Sequence, residues 1–321
     1  MKIKYALAMA LALAAIGELH AQTFPARPVR ILVAFPPGGG TDIVARIISP
    51  RLTEIWGQQV IVENRAGASG VIGTEAAARS APDGHTLFMA TMGNATVNQH
   101  LYPKMPVDPL RDLSPLSQVV AVHFVMVAHP SLPARNVKEL IALARSRPGQ
   151  INYSSSGPGG APHLGMELFK SMAKVNLVHI PYKGSGPSFA DLIGGQVSLT
   201  SDSLVQALPY IRADRLRALG VLGAKRSPLI PDVPTIAESG VPGYELTNWF
   251  GLLTPSGTPR ELVSRINSAV VKVLQQPDVR EKLVAMGADV VGSSPDEFGA
   301  FMQSESAKWA KVIGEAHIRA E

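Results

Sequence analysis

The sequence contains no cysteine among its 321 residues. Disulfide bonds, thiolate metal sites and cysteine nucleophiles are therefore excluded from the start. Charged residues make up only 17% of the chain and aromatic residues 6%. Because 46% of the residues are apolar, the chain has enough apolar surface to build a core, and wholesale disorder is excluded. The length leaves room for two domains.

Long hydrophobic runs are also missing. The apolar stretch at residues 5–16 has twelve residues, whereas a membrane-spanning helix needs about 20. It follows Lys2 and Lys4 and leads into a short segment that ends at Ala21, a pattern typical of a cleaved secretory signal peptide. We therefore predict a signal peptide over residues 1–21, with cleavage after Ala21 and export of the mature protein. A buried N-terminal helix is the alternative.

The sequence lacks the usual signatures of nucleic-acid, metal and cofactor binding. The formal net charge is +5, but the basic residues are scattered among acidic ones, so we expect no nucleic-acid partner. The eight histidines include no His-Glu-x-x-His motif or other metal-ligand spacing. The loop at Gly38–Gly40 lacks the ending of a phosphate-binding loop, and Ser69 replaces the second glycine of the dinucleotide fingerprint. We expect no cofactor and no metal.

The motifs of covalent catalysis are absent as well. No Gly-x-Ser-x-Gly nucleophile elbow occurs in the chain. A hydrolase remains an alternative only through a serine of the 154–156 run paired with His163 or His179. Since a lone Ser/His pair is common by chance, we predict a protein that is not an enzyme.

Strand-like and helix-like segments alternate along the chain. Strands are predicted at 29–35, 60–62, 86–90, 122–128, 151–153, 175–180 and 216–222. This order favours an α/β fold with two lobes, each a mostly parallel sheet flanked by helices. The C-terminal helices are expected to pack back onto the first unit. We therefore predict lobe 1 over residues 22–121 and 246–321, and lobe 2 over residues 122–245.

Two glycine-rich loops are the most informative segments. They cover residues 35–42 and 153–163, and each lies between a predicted strand and the start of a helix. Backbone N–H groups converge at such places, and the helix dipole favours negative charge. A capped turn without a ligand is the alternative for each loop. Because neither loop contains arginine, we expect a bound anion to be held by N–H groups and water.

Four segments, one of which includes the first glycine-rich loop, carry a family resemblance when they are taken together and in order. They are Arg27–Arg30 with Pro36–Asp42, Gly57–Gly67, Pro82–Leu87, and Pro181–Gly184 with Asp191–Val197. In these segments the sequence resembles the Bug-type periplasmic solute-binding proteins of tripartite tricarboxylate transporters. The match runs from about Phe24 to the C-terminus.

The resemblance implies a periplasmic protein of Venus-flytrap architecture that closes over a small carboxylate. It would deliver this ligand to integral membrane transporter subunits, and we expect it to act as a monomer. The ligand contacts that the resemblance implies come from both lobes: Phe35, Pro37, Gly39, Gly40, Thr41, Asp42, Thr91, Asn94 and Asn98 from lobe 1, and Ser154, Ser155, Ser156, Gly157, His163 and Asp202 from lobe 2.

The identity of the carboxylate stays open. Asp202 matches a family aspartate that accepts from an amino or hydroxyl group of a ligand, whereas Ser201 stands where the family usually has Phe and predicts a roomier wall. An aromatic carboxylate, an aliphatic di- or tricarboxylate and an acidic amino acid are all compatible with these residues. The same fold acting as a sensor for a membrane signalling protein is the alternative function.

Overall fold

The computed structural model of the protein describes residues 24–316. The predicted signal peptide, residues 1–21, lies outside this range. Within the described range no helix combines the length and the apolar character needed to cross a bilayer. The same residues contain no group of three or more His, Cys, Asp or Glu side chains placed to hold a metal ion.

The described residues form two separate sheets. Their strands are β1 (Val29–Val33), β2 (Val60–Asn64), β3 (Thr86–Thr91), β4 (Leu113–Val122), β5 (Phe124–Ala128), β6 (Asn152–Ser155), β7 (Val178–Pro181), β8 (Leu199–Ser203), β9 (Arg217–Val221), β10 (Asn248–Pro255) and β11 (Ala288–Val290). The first sheet has the order β11-β4-β10-β3-β1-β2 and the second β7-β6-β8-β5-β9. Each sheet is the centre of one lobe.

Helices flank both sheets. They are α1 (Gly40–Trp56), α2 (Val71–Ala78), α3 (Asn98–Leu101), α4 (Pro109–Asp112), α5 (Val137–Ser146), α6 (Ala161–Ala173), α7 (Ser185–Ile193), α8 (Leu204–Arg212), α9 (Arg260–Leu274), α10 (Pro277–Ala285) and α11 (Pro295–Ala316). A single 3₁₀ turn at Ala68–Gly70 precedes α2, and a π-helical turn at Gly93–Val97 precedes α3.

The two-lobed α/β fold is confirmed, but the sheets are mixed and not mostly parallel as the sequence predicted. In the first sheet β1 runs parallel to β2 and β3, whereas β10 is antiparallel to β3 and β4. In the second sheet β6 runs parallel to β7 and β8, whereas β5 is antiparallel to β8 and β9. The antiparallel pairs arise at β4, β5 and β10, the strands that carry the chain between the lobes.

The C-terminal helices complete the core of the first lobe, as predicted. On α9 the buried residues Ile266, Val270 and Val273 recur at helical spacing and form one apolar face. On α11 the ring of Phe298 packs edge-on against Trp249 of β10, with ring centroids 5.3 Å apart. This aromatic contact ties the last helix to the centre of the first sheet.

This packing predicts a large cost for a methyl group at Gly251 on β10. A Cβ there would overlap the Phe298 ring, which is itself fully buried. We expect Gly251→Ala to lower the free energy of unfolding by about 1–3 kcal/mol through overpacking. Chemical denaturation measures the loss.

The matched control is Gly314→Ala in α11, where an added Cβ would meet nothing within 4 Å. Because alanine is the better helix former, this variant should gain about 0.5–1 kcal/mol. Equal stability of the two variants would contradict the packing described for Phe298.

Candidate ligand-binding site

Helices begin at a common cavity between the two lobes. Its lining includes Gly39, Gly40 and Thr41 at the start of α1 and Gly160, Ala161 and Pro162 at the start of α6. Ser185 opens α7 and Ser203 is the N-cap of α8, and both also line the cavity. The first N–H groups of a helix lack intrahelical acceptors, and each helix start carries a partial positive charge of about half a unit.

No lysine, arginine or histidine is among the cavity-lining residues that the structure describes. The positive potential of the cavity therefore comes from helix starts and not from cationic side chains. The cavity is small, about 40 Å³, which is room for only a few water molecules. The arrangement suits a small anion that accepts backbone N–H groups from both lobes.

Asp202 is the one ionisable residue in the described lining of this cavity. It lies near the end of β8 and is 3% exposed. Its Oδ1 atom accepts from the backbone N–H of Ser203 at 2.6 Å, whereas its Oδ2 atom has no hydrogen-bond partner among the described residues. Burial raises the pKa of Asp202 to about 6, although interactions with Ser185 and Ser203 act to lower it.

Asp42, a predicted ligand contact in the first glycine-rich loop, faces its own lobe. Its carboxylate accepts from the Gly38 backbone N–H, from Arg46 Nε and from Asn64 Nδ2 at 2.9–3.1 Å. Burial acts to raise the pKa of Asp42, but these bonds and the Arg46 charge bring it below the usual value. Asp42 therefore holds the loop in shape and does not line the cavity.

Thr91 lines the cavity at the end of β3, and two predicted asparagines lie behind it. Asn94 Oδ1 accepts from the Thr91 backbone N–H at 2.9 Å and so fixes the end of this strand. Asn98 Nδ2 donates to the Ser69 carbonyl at 3.1 Å, near the rim of the cleft. Both asparagines are 1% exposed and support the wall of the cavity from outside it.

The second glycine-rich loop sends only Ser156 of its predicted residues into the cavity. Ser154 Oγ accepts from Ser188 Oγ at 2.8 Å, in the interior of lobe 2. Ser155 Oγ accepts from the Gly157 backbone N–H at 3.1 Å and lies 2.6 Å from His179 Nε2. Because Ser155 is completely buried and does not line the cavity, this Ser/His pair gives the hydrolase alternative no support.

Two stacked imidazole rings, those of His163 and His179, support the same loop. The rings of His163 and His179 lie 4.3 Å apart, and His163 Nδ1 accepts from the Gly159 backbone N–H at 3.1 Å. Burial lowers the pKa of His163 to about 4 and that of His179 to about 3. Both rings are therefore neutral at physiological pH, and His163 supports the loop by hydrogen bonding alone.

The lobes touch at several glycines around the cavity. A Cβ on Gly40 would lie 2.9 Å from Ser203 Oγ, and a Cβ on Gly157 would lie 2.6 Å from Ser69 Oγ. Tyr102 Oη also donates to the Pro158 carbonyl across the cleft at 3.1 Å. These contacts describe a closed cleft in which only glycine fits at the points of closest approach.

The structure thus divides the predicted site residues into two sets, whose ligand contacts remain predictions. In the cavity lining are Phe35, Gly39, Gly40, Thr41, Thr91, Ser156 and Asp202. Outside the lining, in the supporting layer or at the rim, are Pro37, Asp42, Asn94, Asn98, Ser154, Ser155, Gly157 and His163. Ser201 also lies outside the lining, where its Oγ donates to the carbonyl of the lining residue Pro162 at 2.9 Å.

Sequence reasoning missed about half of the lining. The missed residues are Phe124, Gly160, Ala161, Pro162, Ser185, Ser203, Asn248 and Phe250. Pro162 in the first turn of α6 and Gly184 before α7 are helix-start signals that could have found three or four of them. Phe124, Asn248 and Phe250 lie on strands next to the lobe crossings, where no local motif marks a ligand site.

Comparison with known proteins decides the family. The model of the tripartite tricarboxylate transporter family receptors matches residues 44–318. The chain belongs to this family. It is also 40% identical to the protein BugT of Bordetella pertussis over 300 residues, which are 93% of this chain and 92% of BugT. The family is one of solute-binding receptors and not of enzymes.

Two solved structures show the same fold, and each was solved with a named ligand. Rpa4515 of R. palustris with adipate is 40% identical, with a TM-score of 0.90 over 92% of this chain and 99% of that chain. MatC of Rhodopseudomonas palustris with bound malate is 33% identical, with a TM-score of 0.87 over 90% of this chain and 100% of that chain. This receptor therefore shares its whole described fold with two carboxylate-bound proteins.

The raised pKa of Asp202 in this receptor predicts a pH-dependent stability. A carboxyl whose pKa is about 6 when folded and 3.8 as a model value binds its proton more tightly in the folded state. Its stabilising contribution is fully present below about pH 4 and is lost as the pH rises through about 6. By this shift, Asp202→Asn should be more stable than the wild type by about 2–3 kcal/mol at pH 7.5, and about equal at pH 4.

Urea unfolding of the ligand-free protein at both pH values measures this difference. Asp214→Asn is the matched control, because Asp214 is an exposed turn residue whose positive φ of 54° asparagine also tolerates. It should follow the wild type at both pH values. A constant difference between Asp202→Asn and the wild type across this pH range would contradict the burial effect.

Proposed function

We propose that the protein binds a small carboxylate between its lobes and delivers it to the membrane subunits of a tripartite tricarboxylate transporter. The observation that carries the proposal is the convergence of helix starts from both lobes on one cavity whose described lining has no cationic side chain. Such a cavity holds an anion through directed N–H groups. Family membership and the adipate and malate relatives support the same conclusion.

The mechanism is a ligand-driven shift between open and closed lobes. In the closed arrangement the start of α1 and the start of α6 face the same cavity, so one ligand contacts both. In an open arrangement only one lobe could contact it. The ligand therefore binds the closed state more tightly and shifts the population toward it.

Among the carboxylates left open by the sequence, an aliphatic dicarboxylate is our proposal. Adipate and malate, bound by two relatives that cover nearly the whole fold, are both of this class. A dicarboxylate offers one acidic end to each lobe, which matches helix starts on opposite walls of the cavity. An aromatic carboxylate or an acidic amino acid would be the outcome if this class fails to bind.

The location and the lobe boundaries are also part of this proposal. Residues 1–21 act as a cleaved signal peptide, and the mature protein works in the periplasm. The proposed boundaries are residues 22–121 with 246–321 and residues 122–245. The division of the strands between the sheets supports boundaries close to these, although Val122 belongs to the first sheet. Strands of the first sheet lie before residue 123 and after residue 247, and those of the second lie between.

A thermal-shift panel tests the proposed function directly. Mature protein from Gln22 is mixed with succinate, malate, adipate, benzoate, citrate and glutamate, each paired with its neutral amide. At about 100 times the dissociation constant a bound ligand adds ~2.7 kcal/mol to the free energy of unfolding, which raises the melting temperature clearly. We expect a rise with a dicarboxylate and none with its diamide. A flat response to every acid would remove the carboxylate proposal.

Gly40 tests whether the first glycine-rich loop holds the ligand. A valine side chain there would collide with Ser203 Oγ and the Phe250 ring, so the lobes could not close. We expect Gly40→Val to weaken binding of the dicarboxylate found in the panel at least tenfold, by calorimetry, while circular dichroism shows a folded protein.

Gly39→Ala is the matched control in the same loop. An added Cβ at Gly39 would meet only the Pro36 carbonyl, at 3.7 Å, and no atom of lobe 2. This variant should still close and should bind better than Gly40→Val. Wild-type affinity in Gly40→Val would overturn the placement of the ligand against this loop.

A further inference from the structure

Asp202 is an acid buried in a cavity that is built for an anion. It is 3% exposed, its Oδ2 atom has no hydrogen-bond partner among the described residues, and it lines the cavity together with helix starts from both lobes. A ligand carboxylate at hydrogen-bond distance from this atom would place two like charges in a low-dielectric site. Two such carboxylates cannot both stay ionised, and they share one proton instead.

No cationic side chain on the elements packed against β8 is placed to neutralise a second negative charge beside Asp202. The titratable groups on the helices packed against β8 are His163, Glu167 and Lys170 on α6, Asp191 on α7, and Tyr210 and Arg212 on α8. None of them contributes to the pKa shift of Asp202. The neighbouring strands β5 and β6 and the facing strand β10 carry no Asp, Glu, Lys, Arg or His. Across the cleft, Asp42 is committed to Arg46 and Asn64.

Two further buried polar atoms of the same cavity lining lack a well-aligned hydrogen bond. Ser203 Oγ and Asn248 Oδ1 belong to cavity-lining residues that are 1% and 3% exposed. Ser203 Oγ lies close enough to the Asp202 carboxyl to lower its pKa but forms no well-aligned hydrogen bond, and Asn248 Oδ1 has no partner within the described chain. Ser203 is the N-cap of α8, a position where the hydroxyl of serine commonly accepts a backbone N–H, but here it does not. The unpartnered oxygens of Asp202 and Asn248 are acceptors, so a ligand carboxylate can meet Asp202 only if one proton lies between the two groups.

We propose that the protein takes up one proton at Asp202 when a dicarboxylate enters the cleft. The proton comes from solvent, the neutral Asp202 carboxyl donates its O–H to one carboxylate of the ligand, and no bond other than this O–H is formed or broken. The other carboxylate of the ligand remains ionised. This inference rests on the proposed function and adds the uptake of one proton at Asp202 to the binding of the ligand.

The burial of Asp202 makes this step accessible near neutral pH. Because burial already raises its pKa to about 6, only a modest further rise on ligand binding keeps it protonated at pH 7.5. Linkage then requires the dissociation constant to increase about tenfold for each pH unit between the pKa of Asp202 in the free protein and its pKa in the complex. A ligand that brings its own donor, such as an amide or ammonium group, would need no proton from solvent.

Calorimetry in pairs of buffers with small and large ionisation enthalpies tests the proposal. Succinate, malate and adipate are titrated into the wild type at pH 7.5, and the difference in heat between buffers gives the protons taken up. We expect ~1 proton per diacid bound at pH 7.5, where both carboxyls of the free diacid and the Asp202 carboxyl are ionised before binding. The monoamide of the same diacid, which can donate its N–H to an ionised Asp202, should take up none.

Two variants locate the proton. Asp202→Asn should lose both the proton uptake and the increase of the dissociation constant with pH, whereas Asp214→Asn, outside the cavity, should keep both. A diacid that binds the wild type without proton uptake, or an uptake that persists in Asp202→Asn, would overturn the proposal and leave carboxylate capture standing. Preference for glutamate or aspartate without proton uptake would overturn it too. If no acid binds at all, the proposed function fails with it.

Discussion

Both connections between the lobes pass through one place, and the position of the ligand site depends on it. Only His123 separates β4 of the first sheet from β5 of the second. On the return path Asn248, the first residue of β10, pairs with Val122, the last residue of β4. Because the two connections are neighbours, the lobes can rotate about a single line. The strands β5 and β10 begin at these crossings and supply part of the cavity lining, namely Phe124, Asn248 and Phe250.

The electrostatics of the cleft follow from backbone geometry and not from charged side chains. Loops at the ends of parallel strands bring the starts of α1 and α6 to the cavity, and their N–H groups supply the positive potential. A backbone site of this kind recognises a carboxylate but reads little else of the ligand. Discrimination is therefore left to the few polar side chains of the lining, of which Asp202 is the only ionisable one among the described lining residues.

Sequence patterns predicted the parts of the fold where local chemistry determines local structure. β1 and the glycine-rich loop after it were predictable because a β-branched run ends at Pro and Gly. The strand β8 was not predictable, because its sequence, LTSDS, is polar and its side chains depend on tertiary contacts. Thr200 Oγ1, for example, donates to the Ser154 carbonyl at 2.7 Å. The site shows the same limit. Asp42 and Asp202 are both acids near a helix start, and only the fold shows that Asp42 faces Arg46 and Asp202 faces the cavity.

The glycine approaches and the hydrogen bond across the closed cleft carry no charge, which leaves the ligand a large share in closure. The ion pairs Arg46–Asp42 and Lys170–Glu167 each lie within one lobe, and at the hinge His123 Nε2 lies 2.9 Å from Asp289. Across the cleft there are close approaches of glycine, as at Ser69 and Gly157, and the hydrogen bond from Tyr102 to Pro158. Such contacts are weak and permit closure without driving it. In the proposed mechanism a ligand that joins the start of α1 to the start of α6 would supply the free energy that distinguishes the two states, and a proton shared with Asp202 would be part of that same bridge.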